Sequence, residues 1–384
     1  MTDTPRIRYF DHAATSWPKP PVVAEAMMGA MDVAGGNPGR SAHSLALAAA
    51  RAVEHARTQV AAFIGIADPR DLAFVPGCTY GLNLVLKGTL KRGDRVVVSS
   101  VEHNAVARPL AFLATSGVKV ARVPVDAQGR IDLDDIERAV AAAPTRMVVC
   151  QHASNLTGAI QPIGDIVDIA HEHGAIVVVD GAQAAGHLPL ALGVLGADAY
   201  VAPGHKGLLG PQGIGVLYLA PGFDPRELVQ GGSGGRSEEI EQPRVRPDRY
   251  EAGTGNVIAA AGLGAAADYL AANAVEIRSR ERELTRRLYH GLSDIPGVTV
   301  LGPPIAEERV PVVSVVHEKL APDEMAFALD RRWGIAVRAG LHCTPWTHEA
   351  VGTSDSGALR FSVGWNLTDE DVDVAVAAMR ELCR

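Results

Sequence analysis

Residues 146–180 read RMVVCQHASNLTGAIQPIGDIVDIAHEHGAIVVVD. Two apolar runs, 146–151 and 175–180, flank a helical pattern at 163–173 that closes on His173-Gly174. Neither run alternates apolar with polar residues, which suits strands covered on both faces. A buried strand, a crossover helix and a second buried strand form the repeating unit of a parallel sheet. The same unit recurs on either side. Strands are expected at 95–100 (RVVVSS), 199–202 and 214–219, and helices at 105–115 and 133–143. Two more helical patterns precede these, at 21–33 and 44–64. The fold class is therefore α/β, with a mostly parallel, doubly wound sheet.

The pattern changes near residues 253–256. A long helical stretch rich in Ala, Arg and Glu follows, from 257 to 292. Short strands are expected at 298–301, 310–316, 335–338 and 359–362, with helices at 322–333 and from Asp369. That composition describes a smaller α+β C-terminal domain. The expected organisation is an N-terminal segment (1–20) packing with the small domain, a large domain (21–255) and a small domain (256–384).

Composition sets the limits. A chain of 384 residues is too long for one small core. Its 47% hydrophobic and 21% charged residues describe a globular chain, not a disordered one. A formal charge of −8 leaves no basic footprint for nucleic acid. The opening MTDTPR has no apolar signal core, and the uninterrupted apolar runs are far shorter than a bilayer span, so no membrane partner is expected. The four cysteines, Cys78, Cys150, Cys343 and Cys383, form no CxxC pair. Neither a metal site nor a disulfide framework is indicated, and a cytoplasmic location is expected.

Residues able to do chemistry gather after the apolar runs. Lys206, in Pro203-Gly204-His205-Lys206-Gly207, follows one strand at the sheet edge where α/β crevices form. Such a lysine either forms a Schiff base when its pKa is lowered or is a plain surface charge or anion contact. Asp180 ends the strand AIVVVD, and a carboxylate there is costly unless paired. It reads as the partner of a cationic ligand nitrogen, or as a helix N-cap or metal ligand. His103 follows RVVVSS and either stacks on a ring and moves protons or simply caps the next helix. Residues 76–81 (PGCTYG) lead from an apolar run at 72–75 into a helix. Backbone N–H groups there suit a phosphate, or the stretch is an ordinary turn with a Thr cap. Glycines 207, 210, 213 and 215 match neither a P-loop nor a dinucleotide fingerprint, since they precede a strand. His103, Asp180 and Lys206 follow three separate parallel strands, so all three can reach one crevice.

Together these stretches resemble the class V aminotransferase family of fold-type I pyridoxal phosphate (PLP) enzymes, and within it the second group of cysteine desulfurases. Tyr9-Phe10-Asp11-His12-Ala13-Ala14-Thr15 is similar to the family's opening segment. Gly77-Cys78-Thr79 resembles its phosphate-side Gly-Thr-Thr turn, with Cys78 replacing the first Thr. The resemblance implies that His103 stacks on the cofactor ring and that Asn155 of Ser154-Asn155 lies near the cofactor O3′ and the substrate carboxylate. It implies that Asp180 and Gln183 pair with the pyridine nitrogen and O3′, that His205 contacts the phosphate and that Lys206 is the Schiff-base lysine. Thr254, in Glu251-Ala252-Gly253-Thr254, would reach the partner subunit's phosphate in a homodimer, and Arg360 would clamp the substrate carboxylate bidentately. Arg338-Ala339-Gly340-Leu341-His342-Cys343 resembles the short loop whose cysteine accepts sulfur. Pro203 stands where many desulfurases have a phosphate-binding Ser, which implies one phosphate contact missing or replaced.

The implied activity is PLP-dependent conversion of L-cysteine to L-alanine, with sulfur passed to Cys343 as a persulfide. Lys206 would be the base, His103 would assist, and a thiol pKa lowered near His342 would help. A sulfur-acceptor protein would follow. Two alternatives stand beside it. One is another class V enzyme: a selenocysteine lyase, a C–S β-lyase or an amino-acid epimerase. The other is a non-catalytic scaffold of the same fold. Cys150 reads as core, Cys78 as a backbone contact and Cys383 as incidental.

Overall fold

The computed structural model describes residues 6–39, 43–233 and 240–384, so the first five residues of the expected N-terminal segment lie outside it. The chain opens with β1 (Arg8–Tyr9), α1 (Pro21–Val33), α2 (Ser44–Phe63), β2 (Leu72–Val75) and α3 (Cys78–Thr89). An alternating series follows: β3 (Arg95–Ser99), α4 (Asn104–Thr115), β4 (Lys119–Val123), α5 (Leu133–Ala141), β5 (Met147–Gln151), α6 (Ile163–Glu172), β6 (Ile176–Asp180), α7 (Leu192–Leu195), β7 (Ala199–Pro203) and β8 (Gly215–Leu219). The remainder is α8 (Val257–Ser293), β9 (Val298–Leu301), β10 (Val312–His317), α9 (Pro322–Trp333), β11 (Ile335–Ala336), β12 (Arg338–Gly340), α10 (Pro345–Ala350), β13 (Ala358–Ser362) and α11 (Asp369–Leu382).

The large sheet runs β2-β8-β7-β6-β5-β3-β4. The strands from β7 to β4 are parallel, while β8 runs antiparallel to both β7 and β2. Successive strand residues serve opposite cores, as the two-residue period requires. Val177 and Val179 pack with α2, α6 and the first half of α8, whereas Val178 packs with α3 and α4. Both faces are covered, which is why these strands read as unbroken apolar runs. β4 has no counterpart among the expected strands. Its sequence, KVARV, keeps Lys119 and Arg122 at a sheet edge, where charges discourage further pairing.

The second sheet, β12-β13-β10-β9, is antiparallel throughout. Leu359 and Phe361 face a core made with α9, α11 and the end of α8, which turns Arg360 to the other side. The single strand expected at 335–338 is two. Ile335 and Ala336 pair in parallel with β1, whereas Arg338–Gly340 pairs with β13. The split arises because the N-terminal segment claims the first pair of residues. One stretch of α8 is apolar enough by length and composition to cross a membrane (mean hydropathy 1.3), but 56% of it is buried inside the protein as a core helix.

One buried carboxyl braces the turn between β3 and α4. The Ser99 hydroxyl and the Gln151 N–H (2.8 Å) donate to Glu102 Oε1, while Oε2 is buried without a partner. Full burial pushes this carboxyl up to about 8. The unfolded chain releases the proton near the ordinary value of 4.5, so between those values it binds fewer protons than the folded chain. The contribution of Glu102 to stability is therefore lost as pH rises through that window. Glu102→Gln should raise the denaturation midpoint at about pH 8 and leave it little changed at about pH 5. A variant whose midpoint tracks the parent at both pH values would contradict this account.

Candidate functional site

Parallel strands place their carboxyl ends on one edge, and a cavity of about 670 Å³ opens there. Strand order reverses between β3 and β5, the kind of switch point at which the following loops splay apart. The cavity is lined by His103 after β3, Gln151 and Asn155 around the end of β5, Asp180 and Gln183 at the end of β6, and His205 and Lys206 after β7. β2, antiparallel to β8, runs the same way as β7 and delivers its end to the same edge, since Val75 and Pro203 both register with Gly215. Gly77, Cys78 and Thr79 therefore join the wall, with Cys78 and Thr79 opening α3. The start of α3 lies close to β7 because Gly81 has no side chain: a Cβ there would fall 2.5 Å from Val201 Cγ1.

Lys206 is half-buried, and among the described residues no hydrogen bond reaches its amine. Burial pushes its pKa down; Asp180 and Cys78 oppose that, and Arg360 and Arg338 add to it. The turn holding it is fixed by backbone bonds from Leu209 N–H to Lys206 O and from Gly210 N–H to Gly204 O. The neighbouring carbonyl of His205 accepts from Ser16 N–H (2.8 Å), Lys19 Nζ (3.0 Å), Ser16 Oγ (3.1 Å) and Thr15 Oγ1 (3.2 Å). The N-terminal segment is thus strapped onto the lysine turn. His103 caps α4, with Nδ1 accepting from Ala105 N–H at 3.0 Å. Burial lowers its pKa against the pull of Asp180, so the neutral ring carries its proton on Nε2.

Asp180 is buried and accepts from Ala182 N–H at 2.9 Å, yet among the described residues it makes no ion pair. The Cys78 thiol lies 3.4 Å from Oδ1, and burial, then Asp180, hold that thiol well above its usual range, so it stays protonated as a weak donor. Asn155 Oδ1, His205 Nδ1 and Arg360 Nε are buried without partners. An unpaired carboxylate, stranded polar atoms, a nearly free amine and a helix start are left open by the protein itself. They match a ligand with a cationic ring nitrogen, hydroxyl and carbonyl groups and a phosphate tail, as PLP has.

The second sheet supplies the opposite wall. Arg338 and Arg360 are directly opposed on β12 and β13, and both line the cavity. Like charges facing each other across strands repel. Arg360, 1% exposed, is held by Asp11 Oδ1 (2.7 Å) and Asn155 O (3.1 Å). Arg338 is left to receive an anion, and its Nη2 lies 3.5 Å from Cys343 Sγ. Cys343 is exposed and sits just outside the cavity lining. Its loop is pinned on three sides: Asn104 N–H donates to Cys343 O (2.8 Å), Asn155 Nδ2 to His342 O (2.8 Å) and the Thr344 hydroxyl to Glu102 O (3.1 Å). His342 and Cys343 both have positive φ, 50° and 57°, a strained choice for side chains with a Cβ. Burial, then Arg360, push His342 down to about 3, so its ring is neutral and the cation beside the thiol is Arg338 instead.

Ten of the twelve residues singled out in the sequence line this cavity; Cys343 and Thr254 do not. Thr254 borders a neighbouring cavity that shares Pro76 and Tyr80 with the first. Its segment is anchored through Glu251, which grips buried Arg57 with both oxygens (2.6 and 3.0 Å) and accepts from Phe74 N–H. Arg338, Gln151, Tyr80 and Asn83 line the main cavity without having been singled out. Arg338 heads the stretch ending in Cys343, but only the β12–β13 register reveals that it stands beside Arg360.

The family model for aminotransferase class-V matches residues 8–374. A protein of Synechococcus elongatus named cysteine desulfurase is 37% identical over 97% of this chain, which spans 60% of that relative's length. A probable cysteine desulfurase of Methanothermobacter thermautotrophicus is 34% identical over 99% of this chain and 96% of its own. The solved apo structure of a cysteine desulfurase from Thermococcus onnurineus superposes with a TM-score of 0.91 at 34% identity, covering 98% of this chain and 94% of the other. With a family match from residue 8 to residue 374 and relatives above 30% identity over nearly its whole length, the chain belongs to the aminotransferase class-V family.

Proposed function

We propose that this chain is a PLP-dependent cysteine desulfurase that converts L-cysteine to L-alanine and carries the released sulfur on Cys343. The observation that carries the reading is the exposed Cys343 thiol 3.5 Å from Arg338, whose side chain lines the same cavity as Lys206, Asp180 and Arg360. Residues fitted to hold PLP are Lys206 at the reactive end, Asp180 at the ring nitrogen, Gln183 and Asn155 at O3′, and His103 on the ring face. Gly77, Cys78, Thr79 and His205 would serve its phosphate. When bound, the cofactor supplies an electron sink for the substrate's α-carbon.

The chain's own residues do the rest. Arg360 and Arg338 bind the substrate carboxylate and so point its side chain toward the thiol loop. Lys206 Nζ, its pKa lowered by burial, takes the α-proton and can return it. Neutral His103 keeps Nε2–H available for proton transfer. The guanidinium of Arg338 stands beside Cys343, whose Sγ takes the substrate sulfur as the Cβ–S bond breaks, the bond's electron pair passing to Cβ, which then takes up a proton. Alanine leaves and the persulfide stays on an exposed loop, within reach of a sulfur-acceptor protein.

The surroundings support the rest of the reading. Met28, Met31, Leu45 and Leu47 are exposed on α1 and at the start of α2, an apolar surface suited to a second copy of the chain. In such a homodimer Thr254 would serve the partner's phosphate site. All four cysteines are unpaired, which suits a reducing cytoplasm. The division into residues 1–20, 21–255 and 256–384 belongs to the same proposal. In it α8 is shared, packing through Leu263 and Leu270 on the large core and through Leu284 and Leu288 on the small one.

Cys343→Ala should cut alanine and sulfide formation from L-cysteine by about a hundredfold or more, with the cofactor absorbance unchanged. Full alanine production by this variant would remove the persulfide step, and pyruvate with ammonia in place of alanine would mark a β-lyase. Lys206→Ala should abolish both activity and the absorbance of the covalently held cofactor. Survival of that absorbance would overturn the lysine assignment.

A further inference from the structure

A second cavity, of about 370 Å³, lies away from the first, between α8, the loop before β10 and the turn after Gly186. Its volume is in the range of small-molecule sites, about 300–1,000 Å³. Arg278, Arg282 and Arg286 line it from α8. Their four-residue spacing puts them on one face of the helix, where like charges repel. Two other α8 arginines are neutralised: Arg280 pairs with Glu283 and Asp369, and Arg287 with Asp373. Among the described residues the three at the cavity form no salt bridge. Arg278 Nε donates only to Gly186 O (3.1 Å) and Arg282 Nε only to Arg278 O (3.4 Å). Among the described residues Arg286 has no hydrogen bond or ion pair from its side chain.

The acids lining the cavity balance this charge only in part. Glu307 pairs with Arg130, while Glu281, hydrogen-bonded to His187 (2.9 Å), also attracts Arg278, so two carboxylates, Glu281 and Glu308, face three guanidinium groups. A fourth arginine, Arg309, is 8% exposed and forms part of the same wall. Its terminal nitrogens donate to the carbonyls of Pro303, Thr157 and Val312, but its Nε is buried without an acceptor. Ile160, Leu188 and Ile305 supply an apolar side.

We propose that this cavity binds a small organic dianion, a dicarboxylate or a phosphate ester, held through its charges by Arg278, Arg282 and Arg286 with its carbon body against Ile160 and Leu188. The assignment does not depend on the reaction proposed for the main cavity. An occupant would bridge α8 to the turn carrying His187, and that turn packs on the lysine loop: a Cβ on Gly207 would fall 2.8 Å from His187 Cδ2. Binding here is thereby linked to the segment next to Lys206.

Isothermal titration of the full-length, cofactor-loaded protein with succinate and, separately, with inorganic phosphate tests this. At least one should bind saturably, weaken with added salt, and lose at least about tenfold in affinity in Arg286→Glu. Both substituted positions, Arg282 and Arg286, are exposed, so the fold should persist, and cofactor absorbance and turnover without added anion should match the parent. Succinate alone would assign a carboxylate ligand, and phosphate alone a phosphate ester. No saturable binding of either would overturn the proposal. So would binding that survives both Arg282→Glu and Arg286→Glu or that is lost in Arg360→Ala, since the anion would then lie elsewhere, in the last case in the main cavity.

Discussion

Strands that run the same way must end at the same edge, and the main cavity of this chain depends on that constraint. Four parallel strands bring His103, Asn155, Asp180 and Lys206 to one line although more than a hundred residues separate the first from the last. The strands are apolar on both faces, so their positions are set by packing that has nothing to do with chemistry. Along β5 and β6 the polar residue comes last, where the chain leaves the sheet. Asp180 can therefore be both buried and free of an ion pair, because the rigid sheet holds it against the cost of desolvation. The same packing surrounds the amine of Lys206, and burial lowers its pKa.

The small sheet meets this edge with the opposite charge. Arg338 and Arg360 stand side by side across β12 and β13, an arrangement a sheet tolerates only if something answers it. Asp11 answers for Arg360. For Arg338 the protein offers the Cys343 sulfur and an open cavity. The thiol loop adds a strained backbone at His342 and Cys343, restrained by hydrogen bonds from Asn104, Asn155 and Thr344. Strain held in place this way fixes the direction of a side chain more closely than a relaxed loop could. The buried carboxyl of Glu102 belongs to the same brace, since its backbone carbonyl receives Thr344 while its side chain ties β3 to β5.

Much of this was legible from residue order. Unbroken apolar runs identified β3, β5, β6, β7 and β8, because strands covered on both faces leave that imprint. The residues just past them were then natural candidates, and resemblance to a family assigned their roles. β4 left no such imprint, since an exposed edge strand carries Lys119 and Arg122 like any loop. The break between β11 and β12 was hidden for another reason: it depends on which partner each residue pair finds, and β1 lies more than three hundred positions away. Arg338 escaped notice because its neighbour Arg360 is adjacent only across a strand pair. The neutrality of His342 was likewise out of reach, since burial is a property of the folded loop and not of the letters His-Cys. The same holds for the arginines at the second cavity, which in sequence look like any solvated helix face.

The strap of residues 15–19 over the carbonyl of His205 has a bearing on how the chain is made. The acceptor these residues grip lies about 190 positions later in the chain, and the strand just before them pairs with residues 335 and 336. Chain already emerged must wait, unpartnered, until most of the protein has been translated. The large sheet can assemble ahead of that event, because its strands lie within residues 72–219. The lysine turn acquires its final restraint only when the N-terminal segment docks across both sheets. Synthesis order therefore completes the lysine turn late, through residues made well before the turn itself.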